Sequence, residues 1–151
     1  MLKKLLSFFF LYFFINILSS QNTLYWIGGS GKWNDHNHWS LQSGGQESSI
    51  IPDKNTNVIF DENSQVGAAV IEIVGDYSVK SINIKSNRKL VFKFGEFSNL
   101  NFYGDIFLTP FVEYLCKTKI NINGEGSVVK VNTGGVELGK EVVLKNGNFE
   151  I

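Results

Sequence analysis

The chain has 151 residues, 14 basic and 14 acidic side chains, two histidines and one cysteine. That length fits a single domain, and the balanced charge excludes the basic patch a nucleic-acid partner would require. The lone Cys116 excludes an intramolecular disulfide and reads as a small apolar side chain, so stability rests on packing and backbone hydrogen bonds.

The first element in chain order is a leader. "MLKK" carries two positive charges, "LLSFFFLYFFINIL" is uninterrupted and apolar, and "SSQN" is small and polar. This order defines a secretory signal peptide over residues 1–20, cut near Ser20. Its apolar run is short of the roughly 20 residues that span a membrane. Removing Lys3 and Lys4 leaves 12 basic residues against 14 acidic, a net charge of −2. The mature chain is expected to be secreted or on the cell surface, with no membrane association after cleavage. Cys116 is too far from the leader to be a lipidated N-terminal cysteine.

Residues 21–57 form a Trp/Gly-rich segment. After the strand "TLYWI" it is polar and glycine-rich, with Pro52 near its end. From residue 58 to 151 the signals are short alternating runs between Gly, Asn, Asp and Ser, with no 3.6-residue apolar spacing. The strands read "NVIFDE", "AVIEIV", "KSINIK", "LVFKF", "LNFYG", "DIFLT", "KININ", "VVKVN", "VELG", "EVVLK" and "NFEI". The fold class is all-β.

Four pieces align as a repeat: "KSINIKSNRKLVFKF", "NLNFYGDIFLTP", "KININGEGSVVKVN" and "EVVLKNGNFEI". Their first strands end on Ile84, Phe102, Ile122 and Leu144, separated by 18, 20 and 22 residues. A drifting period near 20 predicts a right-handed parallel β-helix, a β-solenoid whose coils stack about 4.8 Å apart. The alternative is an antiparallel β-sandwich, because "YGD" and "KNG" also suit tight hairpins. A solenoid needs a cover at each end. The Trp-rich segment supplies an N-terminal cap, whereas "NGNFEI" stops within a strand. The coils therefore read as incomplete at the C-terminus, the last strand awaiting a partner or a further segment.

Between Tyr25 and Ser40 the run "YWIGGSGKWNDHNHWS" gathers all three tryptophans and both histidines. Asp35, His36 and His38 are metal-ligand types, but zinc requires at least three convergent ligands and calcium more oxygens than Asp35, Asn34 and Asn37 supply. Exposed Tyr25, Trp33 and Trp39 would bind sugar. The preferred reading is structural: Trp33 and Trp39, six residues apart, fold the loop over the first coil. Each ring then buries on the order of 200 Å², about 5 kcal/mol at about 25 cal/mol per Å². On this reading Tyr25, Trp26, Trp33, Asp35 and Trp39 form the cap, and neither His36 nor His38 matters to stability. No metal or other cofactor is expected. Asp53, Asp61, Glu62, Asp76 and Asp105 sit at turns or strand ends as solvated charges, and no nucleophile elbow or phosphate loop is present, so no catalytic residue is assigned.

The same run, followed by "IPDKNTNVIFDENS", resembles the N-terminal module of large secreted β-helix surface proteins of gliding Gram-negative bacteria, exported by type IX secretion. Tyr25, Trp26, Gly28, Gly29, Gly31, Trp33, Asp35, Trp39, Ser40, Pro52, Val58, Phe60 and Asp61 carry the resemblance, which extends over residues 23–151. That family often has proline where His36 stands, consistent with a loop that needs no histidine ligand. Its members continue into further coils and a sorting domain, so the chain reads as the N-terminal part of a longer protein. A more distant similarity is to the G8 domain. The resemblance implies a non-catalytic, adhesin-like surface-interaction module whose partners are extracellular glycans or surface proteins. The alternatives are a carbohydrate-binding module, and the front end of a polysaccharide-degrading β-helix enzyme.

Overall fold

A computed structural model of the chain describes residues 22–117 and 119–151. The leader assigned to residues 1–20 lies outside the described residues. Strands β1 (Thr23–Trp26) and β2 (Gly31–Lys32) open the stack, and β3 (Trp39–Ser40) folds back antiparallel on β1. A three-strand unit then repeats: β4 (Asn57–Phe60), β5 (Ala69–Ile73) and β6 (Asp76–Val79), then β7 (Ser81–Ile84), β8 (Leu90–Phe94) and β9 (Asn99–Phe102), then β10 (Ile106–Phe107), β11 (Val112–Leu115) and β12 (Lys119–Asn123). A fourth coil has β13 (Val128–Asn132) and β14 (Glu141–Lys145) without a strand between them, and β15 (Asn148–Glu150) begins the next.

These strands line three faces. Sheet A runs β15-β13-β10-β7-β4-β1-β3, sheet B runs β11-β8-β5-β2, and sheet C runs β14-β12-β9-β6. Pairing from coil to coil is parallel, as between β4 and β7 or β5 and β8. The chain is a parallel β-solenoid, and the antiparallel sandwich is overturned. "YGD" and "KNG" are corners that carry the chain from sheet C to sheet A, the second turning on Asn146 at φ 52°. The Trp-rich segment is part of the stack, since β1 pairs with β4 and β2 with β5.

The side-chain period of two puts one residue row inside each sheet. In sheet A the inward column is Leu24, Val58, Ile82, Ile106 and Val131, in register and buried. Sheet B contributes Ala69, Leu90 and Val112, and beside them Ile71, Phe92 and Tyr114. In sheet C the column is Val79, Phe102, Ile122 and Leu144. The last three match the period read from the sequence. The first does not: Ile84 lies in sheet A beside Phe60, and Val79 takes its place in the column. Outward rows add side-chain ladders, with Asn99 Nδ2 donating to Asp76 Oδ1 (2.9 Å) and Asn121 Nδ2 to Asn101 Oδ1 (3.1 Å).

Two further expectations change. "VELG" forms no strand, because Gly134 and Gly135 just before it and Gly139 at its end, at φ 59°, 85° and 116°, break the extended backbone. β6, β11 and the short β2 and β3, unread in the sequence, are strands.

Candidate functional site

The run from Tyr25 to Ser40 closes the first end of the solenoid from inside. β1 places Trp26 inward, the 3₁₀ turn His36–His38 reverses the chain, and β3 returns Trp39 opposite Trp26. Asp35 builds that turn: its Oδ1 accepts from Asn37 N at 3.0 Å, and its carbonyl accepts from His38 N at 3.1 Å. The cap is tied to the next coil by Gly29 N to Ser64 O (3.0 Å), Trp33 N to Glu72 O (2.8 Å) and Val70 N to Ser30 Oγ (3.0 Å).

All three indoles are 0% exposed. Trp39 packs edge-on against Trp26 at 5.0 Å and against Trp33 at 4.9 Å, the favourable T-shaped arrangement. Trp39 Nε1 donates to Trp33 O at 2.8 Å and Trp26 Nε1 to Gly29 O at 2.7 Å. Trp33 Nε1, also buried, has no partner among the described residues. The aromatic packing continues down the stack, Trp26 and Trp39 touching Phe60, Phe60 touching Phe92, and Phe92 touching Tyr114. Neither Trp33 nor Trp39 has a ring face open to a sugar. Tyr25 points outward from sheet A, half-buried beside Ile59.

His38 is a correction. Its ring stacks on Trp26 at 4.7 Å and 5°, and its Nδ1 lies 2.9 Å from Ile27 O. An added Cβ on Gly31 would overlap His38 Nε2, so the glycine makes room for the imidazole. His38 is part of the cap, while His36 is exposed. Because they sit in a 3₁₀ turn, the two histidines do not form the one-sided pair a strand would give. Among the described residues, no three or more His, Cys, Asp or Glu side chains gather where they could hold a metal ion.

Carboxylates on the outer faces alternate with other side chains. Glu72 is in register with Lys93, Asp76 with Asn99, and Glu141 with Lys119. Asp61, although buried, is consumed in a turn, its Oδ1 accepting from Asn63 N at 3.0 Å. A cleft of about 680 Å³ lies where sheet B stops, between β11 and the glycine-rich residues 134–140. Tyr114 lines it, and its hydroxyl has no partner among the described residues. Burial, with Cys116 alongside, pushes that phenol well above its usual 10.0. Sequence reading missed this cleft because "FVEYLC" carries no motif. The one available signal was "TGGVELG", whose glycines interrupt the strand period.

Compared with protein-family models, with characterised proteins and with solved structures, the chain gives no match.

Proposed function

We propose that the chain is an exported, non-catalytic, adhesin-like β-solenoid of the secreted surface-protein class its aromatic motif resembles, and that the Tyr25–Ser40 run is its architectural cap. The observation that carries this reading is the complete burial of Trp26, Trp33 and Trp39. A motif that spends its three largest side chains on the core is building a fold terminus, as repeat architectures require. The interleaving of Glu72 with Lys93 and of Asp76 with Asn99 supports the non-catalytic part, since polysaccharide cleavage needs two carboxylates converging on one bond. Interaction with extracellular glycans or surface proteins falls to the outer sheet faces, where Tyr25, Ile59 and Phe107 are half-buried on sheet A.

The test is to express the full chain in a Gram-negative host and treat intact cells with protease. A mature chain lacking residues 1–20, found outside the inner membrane, agrees with the reading. An uncleaved cytoplasmic chain contradicts export. Polysaccharide hydrolysis by the purified chain contradicts the non-catalytic part. The carbohydrate-binding alternative loses its Trp33 and Trp39 platform and retains only Tyr25.

A further inference from the structure

On the flank of the stack, where sheet C passes into sheet A, the chain turns once per coil, and the turn widens along the first three coils. Between β6 and β7 it is Lys80 alone, between β9 and β10 it is residues 103–105, and between β12 and β13 it is residues 124–127. Gly104 seats the wider turn on the narrow one, since an added Cβ would come within 2.8 Å of Lys80 O and 3.5 Å of Lys80 Cε. At this step lies a recess of about 280 Å³, lined by Asn57, Ser81, Tyr103, Asp105, Ser127 and Val128 among others. Its lining runs from the first repeating coil to the fourth, so it belongs to the body of the stack and to neither end. No tryptophan lines it.

Two side chains in the recess are fixed through one polar atom and free at the other. Asn57 Oδ1 accepts from Ser81 Oγ at 2.6 Å, and Asp105 Oδ1 accepts from Lys130 N at 2.8 Å. That leaves Asn57 Nδ2, a donor, and Asp105 Oδ2, an acceptor, without a partner among the described residues. Two strand spacings of about 4.8 Å separate their backbones, because β7 lies between β4 and β10. A hydroxyl both donates and accepts, so a ring bearing several of them answers a fixed donor and a fixed acceptor at once. Tyr103 and the exposed Val128 add an apolar wall for the C–H face of such a ring.

Charge argues against an ionic ligand. Lys54 is paired with Glu125 at 3.7 Å and Lys130 with Glu150 at 4.0 Å. The remaining Lys80 and Asp105 offset each other. We propose that this recess is a subsite for a neutral, hydroxyl-rich saccharide, whose hydroxyls bridge Asn57 Nδ2 and Asp105 Oδ2 against Tyr103. The inference rests on the surface-interaction reading above and names the glycan class and the place that holds it.

The test is an NMR titration of the isotope-labelled, purified chain with glucose, galactose, mannose and N-acetylglucosamine, and with glucuronate as a charged control. At least one neutral sugar should shift the amides of residues 57, 81, 103–105 and 127–129 and saturate them. Asp105→Asn keeps the acceptor for Lys130 N and turns the free acceptor into a donor. Asn57→Asp keeps the acceptor for Ser81 Oγ and turns the free donor into an acceptor. Each should weaken binding about tenfold or more, with the amide spectrum of the free chain otherwise unchanged. The proposal is overturned if no neutral sugar moves these amides, if shifts fall only elsewhere, if glucuronate binds more tightly, or if both variants bind as well as the wild type. The readout is separate from export. An exported chain whose recess amides stay unmoved overturns the subsite alone, and a chain that binds sugar here but is not exported overturns the adhesin-like reading alone.

Discussion

Replacing Trp39 by alanine removes the ring around which the cap is assembled. Trp39 is fully buried and packs on Trp26, Trp33 and Phe60. Losing on the order of 200 Å² of buried ring at about 25 cal/mol per Å² costs about 5 kcal/mol, within the range of roughly 3–5 kcal/mol for such truncations. The hydrogen bond from Trp39 Nε1 to Trp33 O goes too, leaving a buried carbonyl unpaired. For a domain of this size each kcal/mol lowers the melting temperature by roughly 2–4 °C, so a loss of roughly 3–5 kcal/mol should lower it by about 6–20 °C. Because coils contact only their neighbours, amide exchange should accelerate first in β1 and β4 and last in β12. Thermal unfolding followed by circular dichroism, with hydrogen exchange read by mass spectrometry, measures both. A melting temperature unchanged within about 2 °C would refute the reasoning.

Trp33→Phe should be milder than Trp39→Phe by about 1 kcal/mol or more in urea unfolding, because it deletes the unpartnered Trp33 Nε1 whereas the other change orphans Trp33 O. Gly31→Ala should displace His38 and cost about 1–2 kcal/mol in stacking and hydrogen bonding. His38→Ala should cost a similar amount, and the double variant no more than either alone, a non-additivity that chemical denaturation resolves. Tyr114→Phe removes a buried, unpartnered hydroxyl and should leave stability unchanged or raised by up to about 1 kcal/mol. Because burial raises the Tyr114 pKa, the fold favours the protonated phenol. That stability is complete below pH 10.0 and falls as pH rises beyond it. Stability measured across the alkaline range should therefore decline more gently in Tyr114→Phe.

The alternation of strands and turns was legible in the sequence, and so was the stacking period near 20 residues, because Phe102, Ile122 and Leu144 do occupy one column. Assigning Ile84 to that column failed at a corner. β6 and β7 are separated only by Lys80, with no glycine, proline or asparagine to mark the turn. "DYSVK" and "SINIK" therefore run together in the sequence although they lie on different sheets. The reverse error occurred at "VELG", where the apolar alternation of a strand is present but Gly134 and Gly135 before it and its own Gly139 hold the backbone out of the ladder. In the cap, indole burial followed from the spacing of Trp33 and Trp39. The role of His38 did not, because it depends on Gly31 lying directly beneath the imidazole, a contact that only the folded turn creates.

All three tryptophans of the chain lie between Tyr25 and Ser40, so tryptophan fluorescence reports on the cap alone. Acrylamide quenching of the native chain, compared with the urea-unfolded chain and repeated with glycans and divalent metals, tests the architectural reading most directly. Buried indoles predict a blue-shifted emission that resists quenching and ignores every additive. Emission quenched as readily as in the unfolded chain, or shifted by one sugar or metal, would make the Tyr25–Ser40 run a binding site and contradict the account.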